Sequence, residues 1–121
     1  MILRRVMFSS IDVMIDKIEN MLSQDKYEDF EVSDRLSKDS ISIVPDPGAV
    51  KIYIPKSMEY SQFEIEDYIR VSMRFIRVST VFDRGYYILS LSNHILPNQL
   101  YDLIRYIIDE EGFCTILDNQ V

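Results

Sequence analysis

The chain is poor in the residues that small proteins most often use for chemistry. Among 121 residues there is one histidine, His94, one cysteine, Cys114, three glycines and no tryptophan. A histidine base needs a positioned partner, a zinc site needs three or four ligands, and a phosphate loop needs clustered glycines. None of these sets can be assembled, so no catalytic residue, metal ligand or cofactor is read from the sequence. A lone cysteine closes no internal disulfide, which argues against a stapled secreted scaffold and for a reducing, cytoplasmic setting. No stretch approaches the roughly 18 consecutive apolar residues of a membrane span. The opening Met1-Ile2-Leu3-Arg4-Arg5 has no long apolar run behind it and is not read as a signal peptide. Ala49 is the only alanine, which weighs mildly against a tightly packed helical bundle.

What is present is ordinary for a folded protein: 47% apolar and 27% charged residues. Residues 1–121 are read as a single α+β domain, long enough to bury roughly two-thirds of its unfolded surface. The net charge is −7, from twenty acids against thirteen bases. That excess repels a polyanion at long range, so it weighs against a nucleic acid and favours a basic protein partner. The charge is unevenly placed. Asp25, Glu28, Asp29, Glu31, Asp34 and Asp39 crowd one segment and Asp109, Glu110, Glu111 and Asp118 another, with Arg70, Arg74, Arg77 and Arg84 between them.

Apolar spacing predicts three helices. The first follows the N-cap pair Ser9-Ser10, with Ile11, Met14, Ile15, Ile18, Met21 and Leu22 as its stripe. The second opens on a capping-box match, Ser61-Gln62-Phe63-Glu64, and carries Ile65, Tyr68, Ile69, Met73 and Ile76 inward. Its acidic start, its arginine-rich end and the Glu66–Arg70 pair favour helix, although Ile69 to Phe75 also alternates like a strand. The third runs from Pro97 through Glu111, with Gly112 as its stop.

Strands are predicted at residues 2–8, 41–44, 50–54, 78–82, 86–91 and 113–118. Pro47-Gly48 suits a type II turn between the second and third, and Asp83-Arg84-Gly85 a three-residue hairpin loop between the fourth and fifth. Residues 27–40 read as a polar edge strand, with Phe30 and Val32, followed by a loop. The expected fold is therefore a mixed, mostly antiparallel sheet with three helices. Residues 1–82 follow a split-βαβ, ferredoxin-like plan with a C-terminal β-α-β extension. In that plan residues 2–8 and 50–54 are the central strands.

The candidate binding residues are Arg70, Arg74, Arg77, Arg84, Lys51, Tyr53, Tyr86, Asn93 and His94. The arginines at 70, 74 and 77 recur at helical spacing. As a ridge, joined by Lys51, Lys56 or Arg84, they could hold a phosphate, a nucleotide or an acidic protein segment; alternatively they balance the helix dipole and nearby acids. His94, in Ser92-Asn93-His94, sits on a loop after a strand, a common place for binding groups, but no second histidine or cysteine is near to complete a catalytic pair. Tyrosines 53, 60, 86 and 87 are the aromatics expected to reach a surface. A split-βαβ sheet that bound RNA would need aromatics on its central strands, which offer only Phe8 and Tyr53 beside Lys51. Cys114 has acidic sequence neighbours, which would raise its pKa, and reads as a small buried hydrophobe. The segment 25–29 lacks the alternating oxygens and central glycine of a calcium loop.

The function expected from these residues is non-enzymatic binding. One form is a protein–protein module, either a self-associating assembly subunit or an inhibitor or immunity-type protein masking a basic partner. The other is a small-ligand binder holding an anionic metabolite or nucleotide at the arginine ridge, between subunits in one version.

Overall fold

Among the described residues, six β-strands, rich in β-branched and aromatic residues, combine with two α-helices. The structure is a computed structural model that describes residues 2–5, 36, 38–46, 49–73, 75–92, 95–111 and 114–118. The strands are β1 (Ile2–Arg5), β2 (Ser42–Asp46), β3 (Ala49–Pro55), β4 (Arg77–Asp83), β5 (Tyr86–Ser92) and β6 (Thr115–Asp118). The helices are α1 (Glu59–Ser72), entered through a 3₁₀ turn at Lys56–Met58, and α2 (Pro97–Glu111). The described residues thus hold two α-helices, not three. The helix expected after Ser9-Ser10, the edge strand expected at Phe30 and Val32, and the Pro47-Gly48 turn lie outside the described residues.

The strands form one sheet in the order β1-β6-β2-β3-β5-β4, antiparallel throughout except for the parallel pair β2–β6. This differs from the ferredoxin-like order. Residues 2–5 pair with β6 at one edge instead of lying beside β3, and β5 enters between β3 and β4. The physical reason lies in the C-terminal third. β5 forms a tight hairpin with β4, so it takes the place next to β3 that β1 occupies in the split-βαβ plan.

Two crossovers follow from this order: α1 joins the parallel strands β3 and β4 over β5, and α2 joins the parallel strands β5 and β6 over β3 and β2. The two run in opposite directions across the sheet. Right-handed connections therefore place both helices on the same face. The core lies beneath them. It combines Ile41, Ile43, Val50, Ile52, Ile54, Leu89 and Leu91 from the strands with Ile65 and Ile69 of α1 and Leu100, Leu103, Ile104 and Ile107 of α2. Full burial of each such side chain stabilises by roughly 1.5–3 kcal/mol. The rings of Tyr68 and Tyr106 stack at 4.1 Å where the helices meet.

The helix ends are set by specific residues. Gln99 Oε1 accepts the Leu96 backbone N–H at 2.9 Å, half of a capping box at the start of α2. Ser61 is not the cap of α1. The 3₁₀ turn starts the helix earlier, at Glu59, and leaves Ser61 inside it, where its hydroxyl donates to Glu111 at the end of α2. The helix also ends earlier than expected, at Ser72. Phe75 then takes a left-handed conformation (φ 70°) and the chain re-emerges as β4. The arginine ridge is split accordingly: Arg70 is on α1, Arg77 opens β4, and Arg74 lies outside the described residues.

Candidate basic cleft on the sheet face away from α1 and α2

Alternation along the strands decides which side chains face away from the helices. Val50, Ile52 and Ile54 point into the core, so Lys51 and Tyr53 share the opposite face of β3. The β3–β5 register sets Lys51 against Ser90, Tyr53 against Ile88 and Pro55 against Tyr86. The β4–β5 register adds Val81 and Asp83 to that face.

A cleft of about 830 Å³ opens here, lined on its basic side by Lys38, Lys51 and Arg84 and elsewhere by Tyr53, Tyr86 and Ile88 among others. A smaller hollow of about 350 Å³ adjoins it, shares Lys38, Arg84 and Tyr86, and adds Lys56. The floor is a second apolar cluster, in which Val44 and Tyr53 are buried against half-buried Leu36, Tyr86 and Ile88. Tyr53 retains only 7% of its surface exposed, so it supports the cleft more than it lines it. Burial, aided by nearby Asp39, raises the Tyr86 phenol above its ordinary value, so the hydroxyl keeps its proton at neutral pH.

The tip of the β4–β5 hairpin positions the arginine. Asp83 pairs with Tyr86, so the loop has two residues, Arg84 and Gly85, and not three. Both have positive φ, 52° and 88°. This is the geometry of a type I′ turn, whose handedness matches the twist of the flanking strands. Gly85 suits it, whereas an arginine there costs roughly 1–2 kcal/mol. The Lys56 backbone N–H donates to the Gly85 carbonyl at 3.0 Å and ties this tip to the end of β3. Among the described residues, Asp83 is the one acid of the cleft lining, 3.9 Å from Arg84 Nε.

Helices α1 and α2 each carry four acids and a single arginine. Arg70 lies 3.5 Å from Glu66, and Arg105 lies 3.9 Å from Asp109. Among the described residues, Lys38, Lys51, Lys56 and Arg84 gather around the cleft and its adjoining hollow, with Asp83 beside them, in a chain of net charge −7.

Of the residues expected from sequence, Lys51, Tyr53, Arg84 and Tyr86 come together in this cleft. Arg70 stands on the helix layer and Arg77 at the far end of β4, so neither lines it. Arg74, Asn93 and His94 lie outside the described residues. Sequence reasoning missed Lys38, Ser90, Val81 and Ile88; the last three carry the same outward parity as Tyr86, which the strand alternation contains. Cys114 is buried in the main core, and burial pushes its thiol up to about 12. Loss of hydration, and not the acidic neighbours in sequence, is the cause. Among the described residues, no group of three His, Cys, Asp or Glu side chains is placed to hold a metal ion, and no helix is long and apolar enough to cross a membrane. No protein family model, curated protein or solved structure matches this chain.

Proposed function

We propose that this is a non-enzymatic binding protein that holds an anionic small molecule, a phosphorylated metabolite or nucleotide, in the cleft on the sheet face away from α1 and α2. The observation that carries this reading is the gathering of Lys38, Lys51 and Arg84 around one cleft of a protein with net charge −7. Charge-assisted hydrogen bonds from such a group are roughly twice as strong as neutral ones and suit phosphate oxygens. Tyr86 adds a protonated hydroxyl beside an apolar floor, which suits the uncharged body of the ligand.

The test is a thermal-shift panel of nucleotides, cyclic nucleotides and phosphorylated metabolites. A ligand that binds only the folded state must raise Tm by mass action. Stabilisation by one chemical class, lost in Lys51→Ala, supports the reading; a flat panel contradicts it.

A second reading is favoured by the outer side of α1, where Tyr60, Phe63 and Val71 are exposed between Glu64 and Asp67. An apolar stripe set among acids suits a basic protein partner, as an inhibitor or immunity-type protein would need. Capture of a partner from the source cell, lost in Phe63→Lys, tests it.

A further inference from the structure

Among the described residues, strand β4 closes one edge of the sheet and pairs with β5. Its sequence, Arg77-Val78-Ser79-Thr80-Val81-Phe82-Asp83, contains no proline, no glycine and no lysine. Proline and lysine are among the devices that blunt an edge strand and stop it from recruiting another, and the charges of β4, Arg77 and Asp83, stand only at its ends. Seven residues is also long for an edge. Near its end Val81 and Phe82 are 56% and 52% exposed.

We infer that β4 pairs antiparallel with β4 of a second copy, across a two-fold axis through Thr80, to give one continuous sheet. Self-complementarity of the strand carries the inference. Opposite residues of an antiparallel pair share a face, so the register must match residues of the same parity. Centred on Thr80, it sets Arg77 against Asp83, Val78 against Phe82 and Ser79 against Val81, each twice by symmetry. Opposite charges meet at both ends, and apolar side chains meet on the helix-bearing side. The neighbouring permitted registers, centred on Ser79 or Val81, pair only five residues and lose both charge matches. An isologous contact of this kind closes on itself and leaves the basic clefts on the same face of the joined sheet.

Sedimentation equilibrium over a range of protein concentrations tests the pairing. The wild-type chain gives twice its 14.3 kDa mass. Arg77→Asp sets like charges opposite one another at both ends and weakens the dimer about tenfold, since like cross-strand charges are destabilising. The double variant Arg77→Asp with Asp83→Arg exchanges the signs and restores it. A strictly monomeric wild type, a dimer indifferent to Arg77→Asp, or no rescue by the double variant overturns the inference. Hydrogen exchange of the wild type gives a check that does not depend on how the variants fold. Protection of amides in residues 77–83 rises with protein concentration if β4 pairs, and protection independent of concentration overturns the proposal.

Discussion

The rings of Tyr53 and Tyr86 meet edge to face, 6.4 Å apart with an interplanar angle of 79°, on the side of the sheet away from the helices. This contact belongs to a small second core on that face and holds up the floor of the basic cleft. Tyr53→Ala is expected to lower stability by about 3 kcal/mol, as for a buried aromatic, and Tyr86→Ala by about half as much because that ring is half-buried. Urea denaturation measures both. Equal, negligible losses would mean that the second core does not stabilise the fold.

Arg84 occupies a left-handed position that asparagine tolerates far better. Arg84→Asn is therefore expected to stabilise the protein by about 0.5–1 kcal/mol, visible as a higher Tm. The same change removes one base of the cleft and weakens anion binding about tenfold by calorimetry. Opposite signs on stability and binding mark a residue kept for its ligand and not for its fold. A loss of stability in Arg84→Asn would contradict this account of the turn.

Cys114 sets an alkaline limit. Its thiol is raised from 9.0 to about 12 by burial. Between those values the unfolded chain releases a proton that the folded chain retains. Stability is thus fully present below pH 9 and falls as pH rises towards 12. Tyr68, Tyr86 and Tyr106, raised from 10.0 mainly by burial, add the same sign from pH 10 upward. Unfolding free energy followed against pH is expected to decline from about 9 in the wild type and from about 10 in Cys114→Ala. The native-state thiol is expected to resist aromatic disulfide reagents at neutral pH, and rapid labelling of the folded protein would contradict its burial.

Ser42 lies on the cleft side of β2 opposite Tyr53, and among the described residues its Oγ is buried with no hydrogen-bond partner. Removing an unsatisfied buried hydroxyl relieves its desolvation cost, so Ser42→Ala is expected to raise stability by about 1 kcal/mol. Chemical denaturation reads the change directly. A destabilisation of that size would mean that the hydroxyl is satisfied in solution.

The parts of this fold that local patterning encodes were legible. The stripe Leu100, Leu103, Ile104, Ile107 between Pro97 and Gly112 gives α2 its bounds as found. Tight hairpins and β-branched runs place β3, β4 and β5 to within a residue or two at each end. The strand order was not legible, because β1 pairs with β6 from the far end of the chain and no local signal records that. The end of α1 was missed because the left-handed residue that follows it is Phe75, and the usual glycine marker is absent. Helical spacing at Arg70, Arg74 and Arg77 suggested a ridge that the turn at Phe75 breaks. The cleft was half legible: Lys51, Tyr53, Arg84 and Tyr86 stood out as charged or aromatic groups on strands and a turn. Lys38 joins them only through tertiary contact.

The most direct test of the cleft is a titration of the isotopically labelled protein with inorganic pyrophosphate, followed through backbone amide resonances. The account predicts saturable shifts at Lys38, Lys51, Arg84, Gly85 and Tyr86, with the amides of α1 and α2 unmoved, and their loss in Lys51→Ala. Shifts centred on Arg70 and Arg105 of the helix layer, or no saturable shift anywhere, would contradict it.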